Sequence, residues 1–191
     1  MKKIILASTS PRRKEILLKT RLPFVIQESN YEEDMKLNLS PEKLSEHLSF
    51  GKAKAVADKN DNAIIIAADT FVVFNEKVLG KPKTEKLAKE MLTLLNGKEN
   101  NIITGVTIID TSNNSSISFH QITKVFMKNL SNETIEAYVK TGEPLDRAGG
   151  YSMQDCGAIL IDRIEGDFFN AMGLPLRRLA EELEKFGVKI L

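Results

Sequence analysis

Residues 63–68 form an unbroken apolar run that ends in Asp69 and Thr70. A strand with one solvated face alternates polar and apolar side chains, whereas a strand buried on both faces is apolar throughout. The run therefore predicts a covered strand in the sheet of an α/β domain. Because open α/β sheets bind ligands at the carboxyl ends of their strands, Asp69 is predicted to lie at such an end.

Strand-like and helix-like segments alternate along all 191 residues, with no repeat and no long linker. We predict a single domain over residues 1–191, with a mixed sheet because both crossovers and hairpins are expected. Strands are predicted at residues 3–7, 63–68, 71–74, 77–79, 102–110, 116–128 and 158–163. Helices are predicted at about residues 11–20, 41–58, 84–95, 132–141 and 174–186, and residues 28–38 are predicted to be a loop.

The charge balance and the cysteine content exclude several classes of protein. Twenty-seven Lys and Arg residues against 26 Asp and Glu residues leave a net charge of +1, so no global field favours nucleic acid or anionic lipid. One cysteine excludes a disulfide framework and a Cys-rich zinc site. The apolar runs are far shorter than the roughly 20 residues of a membrane span. We expect a cytoplasmic protein with no nucleic-acid or membrane partner.

The segment at residues 8–13 is a candidate anion-binding turn. It carries hydroxyl groups and the guanidinium groups of Arg12 and Arg13, and it opens a helix with Ser10 as N-cap and Pro11 in the first turn. Helix starts favour negative charge, and arginine forks match phosphate oxygens. The alternative is an ordinary capped helix with exposed arginines, with Arg12 paired to Glu15, and the residues alone leave both readings open.

Carboxylates form the second candidate group. Asp69, after its apolar run, can hold a divalent ion or orient a water molecule, and residues 32–34 add three acidic side chains in a loop. Each feature also has an ordinary explanation. A strand-end aspartate commonly bonds to a neighbouring turn, and charged loop residues are usually solvated.

Three polar side chains complete the candidates. Lys81 follows a glycine at a hairpin exit and can reach a phosphate as a point charge, and the amide of Gln154 can read the edge of a base. Taken alone, Gln154 is expected to be a loop glutamine bonded to the backbone. Lys52 lies on the second predicted helix, where a solvent-exposed charge is the default expectation. Cys156, His47 and His120 have no partners at nucleophile or ligand spacing, so they are assigned to packing or the surface.

In order and spacing, these segments resemble the Maf family of nucleoside triphosphate pyrophosphatases over essentially the whole chain. The matching positions are residues 6–13, 33, 52–53, 68–70, 79–82, 104–106, 141–144, 148–151, 154 and 173–176. The resemblance implies an elongated mixed β-sheet with flanking helices, in two lobes around a cleft. It also implies a relation to the inosine triphosphate pyrophosphatase fold and, commonly, a homodimer.

The resemblance further implies hydrolysis of a nucleoside triphosphate between the α and β phosphates, with Mg²⁺ or Mn²⁺. It assigns Asp69 as proton acceptor and Glu33 as a second essential carboxylate. Whether Asp69 acts as the base or as a metal ligand with Glu33 is left open. Four side chains are implied around the phosphates: Ser8, Arg13, Lys52 and Lys81.

Arg12, Thr70 and Gln154 match positions that separate branches of the family, and this combination resembles the branch acting on dTTP and UTP. The chain departs from the pattern at two places. Residues 155–156 intervene before Gly157, and Gly51 stands where a charged residue is frequent. The first departure bears on nucleotide selectivity and the second on local helix stability. The family's older label, septum formation inhibitor, supplies the alternative of a regulator that senses nucleotides without hydrolysing them.

Overall fold

The computed structural model describes residues 2–191 and contains one seven-stranded sheet flanked by helices. The strands are β1 (Lys3–Leu6), β2 (Val25–Ile26), β3 (Ala63–Phe74), β4 (Lys77–Leu79), β5 (Glu99–Asp110), β6 (Ser115–Met127) and β7 (Ile161–Glu165). The helices are α1 (Pro11–Leu18), α2 (Pro41–Ala57), α3 (Glu85–Leu95), α4 (Asn132–Lys140), α5 (Phe168–Ala171) and α6 (Leu176–Glu184). Three 3₁₀ turns cover Glu143–Asp146, Ala148–Gly150 and Asp155–Leu160.

The sheet has the order β2-β1-β3-β5-β6-β7, and β4 pairs with β3 outside this path. β1 is parallel to both β2 and β3, whereas the β3–β4 and β6–β7 pairs are antiparallel. The expected mixed α/β sheet is therefore confirmed.

Hydroxyl side chains cap the N-termini of three helices. Ser40 Oγ accepts a hydrogen bond from Lys43 N at 3.4 Å, Thr84 Oγ1 from Leu87 N at 3.3 Å, and Ser131 Oγ from Thr134 N at 3.2 Å. At α1 the predicted cap differs, because the Ser10 side chain makes no capping bond. Ser8 Oγ instead accepts from Ser10 N at 3.3 Å, just before the helix.

The predicted hairpin around Asn75 and Glu76 is also confirmed. Phe74 pairs with Lys77, so the loop contains two residues, and both have positive φ angles of 48° and 64°. Two positive φ angles are what a type I′ turn requires, and this turn matches the twist of the flanking strands.

Several predicted boundaries are wrong, including the start of β5, which is Glu99 rather than residue 102. β3 does not end at residue 68 but continues through Asp69 and Thr70, and its last three residues pair with β4. The strand predicted at 158–163 begins only at Ile161, because Glu143 accepts the N–H groups of Cys156 and Gly157 and holds residues 155–160 in a 3₁₀ turn. The short elements β2 and α5 were not predicted.

The chain forms two compact units. Unit 1 comprises residues 1–70, 104–121 and 172–191, and unit 2 comprises residues 71–103 and 122–171. In unit 1, α2 packs on the sheet through side chains that include Ala53 and Val56, which share one buried cluster with Ile5 and Ile65. Unit 2 has its own core around α3 and α4, which includes Leu92, Val125, Tyr138 and Leu160. Within residues 2–191, no helix combines the length and apolar character needed to cross a bilayer.

Candidate active site

The side chain of Asp69 lies in a buried position on β3, with 6% of the residue exposed. The parallel pairing of β1 with β3 reaches only to Leu6 opposite Ile66, and the following Ala7 N donates to Ile66 O at 2.8 Å. Asp69 therefore lies beyond the carboxyl end of β1, although it is inside β3. The prediction that Asp69 ends its own strand is therefore wrong, and the strand end beside it is that of β1.

Helix α2 brings Lys52 to Asp69. The helix lies directly on β5, since a Cβ on Gly105 would collide with the backbone of Ser45, and Ser49 Oγ is 2.8 Å from Thr107 Oγ1. Residues three or four apart share one face of a helix, so Lys52 follows Ser49 on the face toward the sheet. Its side chain is only 12% exposed, and the default expectation of a solvent-exposed lysine is therefore wrong.

The Lys52 ammonium group contacts two carboxylates. Its Nζ forms an ion pair with Asp69 Oδ1 and lies 2.7 Å from Glu33 Oε1. The Glu33 side chain is 42% exposed, so the cluster extends from the buried strand to the surface of unit 1. The two predicted carboxylates, 36 positions apart in the chain, thus meet at one cation.

A second cation lies beside the same strand. The Arg13 guanidinium donates from Nε to Gly173 O at 3.0 Å, from Nη1 to Ser8 Oγ at 3.2 Å and from Nη2 to Thr70 Oγ1 at 3.0 Å. Thr70 Oγ1 is also 3.1 Å from Thr104 Oγ1. A guanidinium has five N–H groups, so these bonds fix its plane and use three of them. The neighbouring Arg12 is half-buried in the first turn of α1.

The charge balance at Asp69 has opposing contributions. Burial raises the pKa of Asp69 above its ordinary value, Lys52 and Arg13 lower it, and Glu33 raises it again, with a net upward shift. Burial also lowers the pKa of Arg13, against the opposing attraction of Asp69. A carboxylate whose pKa is raised is a stronger base once ionised, and the two cations keep its ionised form accessible.

The donor set at this position fits a divalent cation that also binds substrate phosphates. Mg²⁺ in such sites uses one or two carboxylates and completes its shell with phosphate oxygens and water. Asp69 and Glu33 supply two carboxylates that already meet at one positive charge. Within residues 2–191, no group of three or more His, Cys, Asp or Glu side chains is arranged to hold a metal ion, so a closed protein site is not formed.

The two remaining candidates belong to unit 2. Lys81 Nζ forms an ion pair with Asp146 Oδ1 at 2.7 Å, and 49% of the lysine side chain is exposed. Gln154 is half-buried, and its backbone N–H donates to Ser152 Oγ at 3.1 Å. Both residues are therefore on loops rather than on strands or long helices.

The loop that carries Gln154 is held by one carboxylate. Glu143 accepts hydrogen bonds from Tyr138 Oη at 2.9 Å and from the N–H groups of Cys156 and Gly157 at 3.0 Å each. Asp155, the extra carboxylate next to Gln154, has a φ of 57° and pairs with Arg147 at 3.3 Å. The two residues that intervene before Gly157 are thus accommodated by a left-handed backbone conformation at Asp155.

Several residues of these clusters had no predicted role. Thr104, Glu143 and Gly173 lie in stretches that match the family, but their sequence predicts no role for them. The φ of Gly173 is 111°, which favours glycine, and its carbonyl fixes Arg13. A glycine that follows a helix is visible in the sequence, but its hydrogen bond to a side chain 160 positions away is not.

Comparisons with known proteins identify the family and the fold. The family described as Maf-like protein matches residues 3–186. A dTTP/UTP pyrophosphatase of Methanosarcina mazei is 50% identical over 191 residues, covering 100% of this chain and 97% of the relative. One of Geobacillus sp. is 46% identical over 187 residues, covering 98% and 100%. The structure of the Staphylococcus aureus Ham1 protein shares the fold, with a TM-score of 0.54 and 12% identity over 97% of this chain and 100% of that one.

Proposed function

The chain belongs to the family of Maf-like proteins, and from this membership and the Asp69 site we propose that it hydrolyses dTTP and UTP to the nucleoside monophosphate and pyrophosphate. The observation that carries the proposal is the buried Asp69 carboxylate between Lys52 and Arg13. The sequence relatives, named dTTP/UTP pyrophosphatases and matched over nearly their full length, support the choice of substrate.

In the proposed reaction, ionised Asp69 accepts a proton from a water molecule. The water oxygen forms a bond to the α-phosphorus, the bond from that phosphorus to the bridging oxygen breaks, and pyrophosphate leaves with the electron pair. Lys52 fixes Asp69 and keeps it ionised in its buried position. Positioned general bases contribute about 10²–10⁴-fold to a rate.

Arg13 supports the negative charge of the substrate. Three of its N–H groups hold its plane against Gly173, Ser8 and Thr70, so the remaining ones are preorganised to donate to phosphate oxygens. Preorganised donors stabilise developing charge without a cost of reorganisation during the reaction. We assign Ser8 and Arg12, from the same turn, to the phosphates as well.

We propose Mg²⁺ or Mn²⁺ as the cofactor, with Glu33 as a protein ligand and with Asp69 as a second ligand in the alternative to its role as the base. Such an ion would polarise phosphate oxygens and offset charge on the departing pyrophosphate. Lys52, which contacts both carboxylates, keeps them close together before substrate arrives.

For unit 2, we propose that Lys81 contacts phosphate oxygens and that Gln154 reads the base. The Gln154 amide can accept from N3–H and donate to O4 of thymine or uracil, a pattern that cytosine and purines present differently. Thr70 and Arg12 are proposed to contribute to the same preference. We propose a cytoplasmic location. We also propose that the protein is a homodimer, and sedimentation of the purified protein tests this oligomeric state.

The proposal is tested by incubating the purified protein with a panel of natural and modified triphosphates plus Mg²⁺ or Mn²⁺ and identifying the products. We expect monophosphate plus pyrophosphate, with dTTP and UTP turned over faster than dCTP or purine nucleotides. Diphosphate plus orthophosphate would contradict the proposed bond cleavage. The absence of any turnover across the panel would favour the nucleotide-sensing alternative.

A further inference from the structure

Helix α2 contains a glycine in its interior, next to Lys52. Glycine in this position costs roughly 1 kcal/mol relative to alanine, so its presence calls for a packing reason. The structure supplies one. A Cβ on Gly51 would stand 2.7 Å from Cε1 of Tyr31 and closer still to Cζ and Cε2, so the tyrosine ring lies directly on the helix backbone.

Tyr31 belongs to the segment that carries Glu33. Residues 27–34 contain no helix or strand, and residues 32–36 are exposed, whereas Tyr31 is half-buried. Among residues 2–191, no backbone hydrogen bond joins residues 28–35 to a helix or strand. The segment therefore depends on side-chain contacts for its position.

Two of these contacts fall on consecutive residues of α2. The Tyr31 ring packs on Gly51, and the Glu33 carboxylate binds Lys52 Nζ at 2.7 Å. A 42% exposed ion pair such as that of Glu33 adds little stability by itself and does not fix a loop. An aromatic ring seated on a helix backbone buries much more apolar surface and has few rotatable bonds to order.

We propose that Tyr31, seated on Gly51, is a positioning residue that holds Glu33 beside Lys52 and Asp69. The inference rests on the proposed function for the role of Glu33 in the reaction, but the anchoring itself does not. Within the described residues the Tyr31 hydroxyl has no hydrogen-bond partner, and the contact with Gly51 is made by the ring. Gly51 departs from the family pattern, and its missing side chain leaves the space that the Tyr31 ring occupies.

The first experiment measures anchoring without metal or nucleotide. Trypsin cleaves after lysine, and the exposed Lys36 lies in the same loop. We expect Tyr31→Ala and Gly51→Ala to increase the rate of cleavage after Lys36 by about tenfold, and Tyr31→Phe to leave it unchanged. Unchanged cleavage in both alanine variants would overturn the proposal.

The second experiment measures the consequence for the reaction. In dTTP hydrolysis, Tyr31→Ala and Gly51→Ala are expected to raise the Mn²⁺ concentration for half-maximal activity by about tenfold, with a smaller change in KM for dTTP. Tyr31→Phe should retain wild-type values. Wild-type Mn²⁺ dependence in both alanine variants, at full folding by circular dichroism, would overturn the positioning role.

The double variant Gly51→Ala with Tyr31→Ala supplies the matched control. With the ring absent, the added methyl group has room, so the double variant should equal Tyr31→Ala rather than show the sum of two losses. Additive losses would show that the two residues act separately and would overturn the proposal. Glu33→Gln distinguishes the role of Glu33 in the reaction from the anchoring of its loop by Tyr31. Wild-type turnover in Glu33→Gln would refute the role of Glu33, whereas the trypsin experiment tests the anchoring independently.

Discussion

Lys52 in unit 1 and Lys81 in unit 2 are both paired with an aspartate, yet their surroundings differ. Lys52 is 12% exposed and projects from a long helix packed on the sheet, whereas Lys81 is 49% exposed and lies on a loop. Asp69 is buried, whereas 81% of the Asp146 side chain is exposed. The buried Lys52–Asp69 pair is expected to set the protonation state of Asp69 and its reactivity. The exposed Lys81–Asp146 pair is expected only to position the Lys81 ammonium group.

The largest difference should appear in stability. Lys52→Met removes the main partner of a buried carboxylate, and breaking a buried pair on one side typically costs roughly 3–5 kcal/mol. We expect a loss of this size in urea unfolding monitored by circular dichroism. A loss below about 1 kcal/mol would show that Asp69 does not depend on Lys52 for its burial.

The pH dependence of turnover should report the same buried pair. Burial raises the pKa of Asp69, and only its ionised form accepts a proton, so activity should fall as the pH decreases through this raised pKa. The acid limb of kcat/KM should therefore lie above the range of an ordinary aspartate. In Lys52→Met the limb should move to still higher pH, since Lys52 lowers the pKa of Asp69. A limb that stays in place would assign it to another group.

In unit 2, Gln154→Glu should change selectivity rather than folding. An ionised glutamate accepts hydrogen bonds but cannot donate one to O4 of the base. We expect the preference for dTTP over dCTP, measured as a ratio of kcat/KM values, to fall by about tenfold, with an unchanged melting temperature. An unchanged preference would remove Gln154 from base recognition.

The smallest effect on stability should come from Lys81→Ala. Exposed ion pairs contribute about 0–1 kcal/mol, so urea unfolding should be nearly unchanged while KM for dTTP rises several-fold. A destabilisation as large as that of Lys52→Met would erase the contrast between the two lysines.

Local patterns in the sequence predicted much of the fold. The serine caps at residues 40 and 131 and the two-residue turn after β3 depend on neighbouring residues, and all are present. The end of the apolar run at Asp69 predicts the wrong end for β3, because pairing with β4 extends the strand to Phe74. Pairing of this kind is decided by a partner strand and not by the run itself.

The sequence predicts which residues are candidates for the site, but it does not predict how deeply they are buried or which side chains they contact. Lys52 has the position of a surface lysine on a helix, and only the packing of α2 on Gly105 shows why it is buried. For Gly51 the sequence predicts only a change in helix stability, because no local pattern connects it to Tyr31, which lies twenty positions earlier. Contacts between distant segments thus determine which candidate side chains share a charge environment.

The role of Asp69 as the base is tested most directly by pyrophosphate release in Asp69→Asn, measured together with dTTP binding to the same protein. Asparagine preserves the size of the side chain and removes its ability to accept the proton. We predict that release falls by about 10²–10⁴-fold while dTTP still binds with an affinity within a few-fold of the wild type. Wild-type release by Asp69→Asn would contradict the account.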